Sequence, residues 1–280
     1  MRLASFVQDG RRTYGIVVRD GVIDLGSRIR EASSLRDLLE LDLVQRAQSF
    51  AALEADWPLD QIAFDPVITN PDKIICVGLN YHDHVVETNR TVTERPVLFS
   101  RFSGSQVGHE QPLVRPRVSE QFDYEAELAV VIGRGGRHIT EADASNHVAG
   151  YSCYNDGSVR DWQKHTSQFL PGKTFAGTGA IGPWMVTADE IADPADLTIE
   201  MRLNGEVMQQ ANTSMLIHSI PSLIHYISTI LPLTPGDLIV TGTPGGVGAK
   251  RTPPVWMKPG DIAEVSISAI GTLRNTVVAE

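Results

Sequence analysis

Glu125 and Glu127 stand two residues apart in the stretch DYEAELAVVIG. On a strand, that spacing points both carboxylates to one face. The stretch continues as the apolar run 128–132, which reads as core, and two carboxylates side by side in a core are costly unless a cation holds them. A solvated face at the edge of a sheet is the other reading. Asp156 follows a second apolar stretch in GYSCYND, and loops at strand ends are where functional acids collect. Three carboxylates without thiolate or imidazole suit a hard divalent ion, magnesium, manganese or calcium, with water completing the shell. The adjacent Arg160 and Asp161 are expected to pair with each other in support. His84 and Glu87 lie three residues apart on a short helical segment and can face one another. A carboxylate beside a histidine orients the ring and raises its basicity, which suits a general base. A solvated helix pair has the same spacing. Lys173, in the tight loop Pro171-Gly-Lys-Thr, is either a donor to an oxyanion or a surface lysine.

The elements that must position these groups differ along the chain. Short strands over 3–7, 12–18 and 22–25 are joined by Asp9-Gly10 and Asp20-Gly21 turns. Leucines at helical spacing behind Ser33-Ser34 place one or two helices over 34–55. Prolines at Pro58 and Pro66 end this region, which sets a small α/β domain at 1–68 and a larger one at 69–280. The larger part is β-rich. Strands are expected at 74–77, 96–100, 125–132 and 148–154, and an Asn204-Gly205 hairpin joins 198–203 to 206–208. A helix over 219–231 begins near Pro221, and strands at 238–241, 263–267 and 273–278 follow. Residues 107–116 read as loop, and 81–88 as one or two helical turns. The fold class is α+β, a mixed β-sheet roll with a small N-terminal α/β domain.

Composition excludes several function classes. The 280 residues hold 24 lysines and arginines against 34 aspartates and glutamates, a net charge of −10, which is the wrong sign for a nucleic-acid binder. No run of about 18 apolar residues exists to span a membrane, and the N-terminus lacks a signal-peptide core. The two cysteines, Cys76 and Cys153, sit in apolar stretches as small core residues, which fits a reduced, cytoplasmic protein. Three motifs are decoys. Gly177-Thr-Gly-Ala-Ile-Gly182 has the GxGxxG spacing, but Pro171-Gly172 precedes it and Pro183 follows, so no helix starts within it. Gly242-Thr-Pro-Gly-Gly-Val-Gly-Ala-Lys250 carries alanine where a P-loop needs the glycine before its lysine. His82-Asp83-His84 has neither CxxC nor HExxH beside it to make a zinc site.

Six segments in order, KIICVGLNYHDHVVE, DYEAELAVVIG, GYSCYNDGSVRDWQ, LPGKTFAGTGAIGPW, LNGEVMQQANTS and PGDLIVTGTPGGVG, resemble the fumarylacetoacetate hydrolase family from about residue 73 to the C-terminus. The resemblance implies that Glu125, Glu127 and Asp156 bind Mg²⁺ or Mn²⁺, with Ca²⁺ a substitute in crystals. It also implies that His84 and Glu87 are the catalytic pair and that Lys173 faces the substrate. By the same resemblance Thr243 contacts a substrate carboxylate and Gln209 lies near the site. Departures from the family pattern at His82, Arg101, Tyr154 and Gly157 are expected to reshape the substrate pocket. Arg101 stands where a lysine is common, and its planar fork suits bidentate grip of a carboxylate.

The implied function is metal-dependent hydrolysis of a C–C bond in a β-diketo acid to pyruvate and a carboxylic acid. The substrate would be an acylpyruvate, with fumarylpyruvate or maleylpyruvate suggested by the cations at His82 and Arg101. Oxaloacetate decarboxylation or tautomerisation, and isomerisation of an unsaturated oxo-heptenedioate, use the same residues. A non-catalytic metal-binding protein is the reading from another class. A small oxo-acid is the expected partner, without nucleic acid or membrane, in a homodimer whose 82–91 segment is the candidate lid.

Overall fold

A computed structural model describes residues 1–19 and 21–280. Asp20, in the second expected Asp-Gly turn, lies outside the described residues. The first such turn closes the Arg2–Gln8 and Arg11–Val18 hairpin. Asp9 and Gly10 both take positive φ there, 48° and 77°, as a two-residue turn with the twist of its strands requires.

Among the described residues, twelve strands form one large mixed sheet and five a smaller one. Across the large sheet run Gly21–Asp24, Arg11–Val18, Arg2–Gln8, Gly179–Thr187, Val148–Asn155, Ala126–Ile132, Leu238–Val240, Ile74–Gly78 and Val97–Arg101. Pairing along this path is antiparallel except between Leu238–Val240 and Ile74–Gly78, which run parallel. The first strand is hydrogen-bonded to Gly179–Thr187 through Arg2↔Val186 and Leu3↔Met185, so residues on either side of position 68 share one sheet. The smaller sheet orders Glu206–Asn212, Thr198–Leu203, Ile262–Ile267, Gly271–Ala279 and Leu113–Arg115. This is the α+β mixed-sheet architecture that the strand pattern implies. No helix among the described residues is long and apolar enough to cross a membrane.

The Ala126–Ile132 strand is buried at every position. Leu128, Val130 and Ile132 pack into one apolar cluster with the smaller sheet and the Ile220–Ile230 helix. Ala129 and Val131 pack into another with the N-terminal strands and helices. A strand covered on both faces needs apolar residues on both, and this explains the unbroken run after Glu127. The Ile220–Ile230 helix starts as its sequence directs: Ser219 Oγ accepts from the Ser222 amide and Pro221 occupies the first turn. Leu223, Ile224 and Ile227 form its buried stripe. Ile224→Ala is expected to cost about 2–5 kcal/mol, because a cavity would remain against the sheet. A urea unfolding curve measures this, and a loss under about 1 kcal/mol would contradict such packing.

One local expectation is corrected, and two are met in detail. The 107–116 stretch contains a strand, Leu113–Arg115, that pairs parallel with Gly271–Ala279. The 34–55 region is two short helices, Leu35–Glu40 and Val44–Gln48, separated where Asp42 adopts a φ of 53°. The GxGxxG segment runs into the strand Gly179–Thr187, which leaves no helix to receive a dinucleotide phosphate.

Candidate active site

Strand pairing assembles the three acids. Ala126 pairs with Asn155 and Glu127 with Tyr154, and the Asp156 amide donates to the Glu125 carbonyl at 2.9 Å. Residues opposite one another across an antiparallel pair share a face. Asp156 therefore joins Glu125 and Glu127, although 29 positions separate it from Glu127 in the chain. Each acid offers an oxygen within 4.8 Å of the other two, and all three are buried.

Three cations surround them. Lys173 Nζ donates to Asp156 Oδ2 at 2.6 Å and also to Glu125 Oε2, and lies 5.1 Å from the centroid of the Phe99 ring. Arg160 donates through Nη2 to Glu125 Oε1 at 2.6 Å and through Nε to Asp123 Oδ2 at 2.8 Å. Arg101 donates through Nη1 to Asp156 Oδ1 at 2.5 Å. Four buried carboxylates thus face three buried cations, and the unmatched one is Glu127. Only the Gly242 amide donates to it among the described residues, at 2.5 Å.

The titration of the acids follows this unequal pairing. Burial alone would raise Glu125, but Arg160 and Lys173, with a smaller contribution from His84, hold it well below the usual carboxylate range. Burial, with Asp156 and Glu125 beside it, pushes Glu127 well above that range. A divalent ion supplies the cation that Glu127 lacks, and an all-oxygen donor set suits a hard ion. The residues present therefore fit the Mg²⁺ or Mn²⁺ expected from the sequence.

A pH dependence follows. Below the ordinary glutamate value of 4.5, Glu127 is protonated in the folded and the unfolded chain alike. Above it the unfolded chain loses that proton while the folded, metal-free protein keeps it, so stability falls as pH rises. A bound ion would hold Glu127 as the carboxylate and remove this penalty. The rise in Tm produced by Mn²⁺ is expected to grow between about pH 5 and about pH 8 in thermal scans. A metal effect that shrinks with rising pH would contradict the placement of the ion at Glu127.

His84 and Glu87 sit on the short helix His82–Glu87 that follows the Ile74–Gly78 strand. His84 Nδ1 meets Glu87 Oε1 at 2.7 Å, and the Gly246 amide donates to Glu87 Oε2 at 2.9 Å. An ionised Glu87 only accepts, so Nδ1 is the donor, and the neutral ring in this tautomer has its lone pair on Nε2. His84 is buried and Glu87 partly so.

Several other expected site residues have different surroundings. Arg101 is turned inward and spends its fork on Asp156 Oδ1, the Gly157 carbonyl, Thr178 Oγ1 and Ser105 Oγ, so it grips a carboxylate of the protein rather than of a substrate. Tyr154 is wholly buried in an apolar cluster, directly across the strand pair from Glu127. Thr243 Oγ1 donates to the Ala126 carbonyl at 2.9 Å. Gln209 donates to Thr243 Oγ1 and to the Pro244 carbonyl, each at 2.8 Å, and accepts from the Ala126 amide at 2.9 Å. Thr243 and Gln209 thus clasp the peptide between the two glutamates. His82 is exposed on the first turn of its helix. The expected Arg160–Asp161 pair does not form, because Arg160 faces the buried carboxylates while Asp161 accepts from Ser119 Oγ at 2.7 Å.

Sequence reasoning missed Asp123. Its signal was present in the alternation Asp123, Glu125, Glu127, which puts a third acid in phase with the other two.

Residues 73–278 match the family described as fumarylacetoacetate (FAA) hydrolase C-terminal. The chain belongs to this family and is an enzyme of that superfamily, with a buried acidic triad of metal-binding character. It is 40% identical to the mitochondrial oxaloacetate tautomerase fahd2 of Xenopus laevis, over 99% of this chain and 90% of that protein. It is 45% identical to the mitochondrial oxaloacetate tautomerase FAHD2A of Homo sapiens, over 85% of this chain and 77% of that protein. Among solved structures it resembles fumarylacetoacetate hydrolase from Exiguobacterium antarcticum, with TM-score 0.86 and 36% identity over all of both chains. It also resembles maleylpyruvate hydrolase from Sphingobium sp. SYK-6 in complex with manganese(II) and pyruvate, with TM-score 0.83 and 30% identity over 100% of this chain and 99% of that one. The names of the relatives therefore include both tautomerase and hydrolase.

Proposed function

We propose that this protein catalyses keto–enol proton transfer on an oxaloacetate-type 2-oxo acid, with a divalent ion held by Glu125, Glu127 and Asp156. The observation that carries this reading over hydrolysis is the position of Lys173. Cleavage of a β-diketo acid by water builds a tetrahedral oxyanion, which needs a preorganised donor. Lys173, assigned that part from the sequence, instead gives two of its three N–H groups to Glu125 and Asp156. Proton transfer asks less of the site, and the His84–Glu87 pair supplies it.

When bound, the ion would supply Lewis-acid polarisation of the 2-oxo group and offset the charge that develops there. His84 Nε2 takes the proton from carbon 3 of the keto form and delivers it to the 2-oxygen to complete the enol, and carries it back from oxygen to carbon in the reverse direction. Glu87 holds the ring in the tautomer that leaves Nε2 free and stabilises the imidazolium that forms. Lys173 and Arg160 hold Glu125, and Lys173 and Arg101 hold Asp156, which leaves Glu127 to be held by the ion. The oxaloacetate tautomerases that share 40% and 45% identity with this chain support the same reading.

C–C hydrolysis is the second reading, supported by the resemblance to maleylpyruvate hydrolase and by the free Nε2, which would serve equally to activate water. A panel with Mn²⁺ or Mg²⁺ separates the two. Decay of the enol absorbance of oxaloacetate above the buffer rate is expected, without pyruvate release from acetylpyruvate, fumarylpyruvate or maleylpyruvate. Stoichiometric pyruvate from an acylpyruvate at higher kcat/KM would replace tautomerisation with hydrolysis. Carbon dioxide release from oxaloacetate would indicate decarboxylation, and conversion of an oxo-heptenedioate would indicate isomerisation. We also propose a homodimer, for which light scattering is the direct measurement.

A further inference from the structure

The glycine-rich segment that imitates a P-loop has its backbone amides turned onto the carboxylates of the site. Gly242 donates to Glu127 Oε2 at 2.5 Å and Gly246 to Glu87 Oε2 at 2.9 Å. Gly248 donates to Asp123 Oδ1 at 2.8 Å and Ala249 to Asp123 Oδ2 at 3.0 Å. One segment thus touches a carboxylate of the metal cluster, the carboxylate that orients His84, and the carboxylate that holds Arg160. Arg160 closes the circuit by its bond to Glu125. The donating glycines cannot be replaced without movement. Gly242 and Gly246 adopt φ values of 104° and 103°, and a Cβ on Gly246 would lie 2.3 Å from the Met208 carbonyl oxygen. At Gly248 a Cβ would lie 2.0 Å from the Val255 carbonyl oxygen.

Asp123 is the far anchor of this arrangement. It is wholly buried and accepts four hydrogen bonds, from Arg160 Nε and from the amides of Tyr124, Gly248 and Ala249. It is not part of the triad.

We propose that the 242–249 segment sets the spacing between the metal cluster and the His84–Glu87 pair, and that Asp123 is the positioning residue that locks the segment in place. Displacing the segment at Asp123 moves Glu127 and Glu87 together, so metal affinity and the state of the His84 ring change as one property. The proposal takes the carboxylate cluster as the metal site but is independent of which 2-oxo acid reacts.

Asp123→Asn keeps the volume and inverts one hydrogen-bonding group. Its amide nitrogen must face either Arg160 Nε–H or a backbone N–H, and each of these is also a donor. Ala249→Pro removes one amide donor in the first turn of a short 3-10 helix, where proline is tolerated, and changes no charged residue. Two quantities are read on the full-length protein. The first is the Kd for Mn²⁺ alone, from the electron paramagnetic resonance signal of the free ion. The second is the His84 Nδ1 proton resonance of the metal-free protein. In Asp123→Asn the Kd is expected to rise by roughly 10–100-fold, the range for loss of an outer-shell partner, and the resonance to shift or broaden. Ala249→Pro is expected to move both in the same direction by less, and it carries the test if Asp123→Asn does not fold. Failure of the parent to bind Mn²⁺ would remove the premise. Binding by the parent that neither variant weakens, or weakened binding with the His84 resonance unmoved, would overturn the proposal.

Discussion

Replacing Glu127 by glutamine is expected to remove Mn²⁺ binding and turnover together while leaving the metal-free protein folded. Among the described residues, Glu127 is the one buried carboxylate in the cluster without a cation, so its charge is the one that a divalent ion would satisfy. Glutamine keeps the shape and still accepts from the Gly242 amide, but it brings no charge. The loss in affinity should exceed the roughly 10–100-fold that removal of an outer-shell partner costs, because a direct ligand is lost. The same variant carries a stability signature. It resembles protonated Glu127, so the metal-free Tm should not fall at neutral pH, and the rise in Tm with Mn²⁺ should vanish. Calorimetric titration and thermal scans of parent and variant measure both. A Glu127→Gln protein that binds Mn²⁺ within a few-fold of the parent would sink the metal assignment.

His84→Ala should separate chemistry from binding. Loss of a positioned general base costs typically about 10²–10⁴-fold in kcat. The ring belongs to the pair with Glu87 and lies outside the carboxylate cluster, so Mn²⁺ affinity should change little. Glu87→Gln is expected to do nearly as much damage without removing the imidazole. The Gly246 amide fixes one end of the side chain as an acceptor, so the glutamine amide nitrogen must turn to His84 Nδ1. That favours the tautomer with the proton on Nε2, where the reaction needs a lone pair. Steady-state kinetics on oxaloacetate enol decay, run beside metal titrations, distinguish the outcomes. An unchanged kcat in His84→Ala would remove the general-base role, and a Glu87→Gln enzyme with parental kcat would show that the tautomer does not matter.

Much of this site was legible because its determinants are local. The i, i+2 spacing of Glu125 and Glu127 on an apolar strand and the i, i+3 spacing of His84 and Glu87 on a helix turn each report a shared face directly. The same holds for the Asp9-Gly10 hairpin and the Ser219–Pro221 helix start, where each residue carries its own backbone preference. The partners of long side chains were less legible. Arg101 was expected in the substrate pocket and Arg160 beside Asp161, and both were found on buried carboxylates. A guanidinium on a flexible stem goes wherever an unpaired charge would otherwise be buried, and the chain neighbours of an arginine do not record that place. Thr243 and Gln209 followed the same logic, because two unpaired backbone groups at Ala126 claimed their polar atoms.

By itself, the sequence determined the strand and helix faces of this protein, the all-oxygen character of its ion site and the paired histidine and glutamate, since each depends on residue type and short-range periodicity. Only the tertiary structure decided how charge is shared among four buried carboxylates and three cations. It alone turned a false P-loop into a row of amides that reaches Glu127, Glu87 and Asp123. Those features depend on strands and loops far apart in the chain meeting in one buried volume, where an unpaired donor or charge is costly.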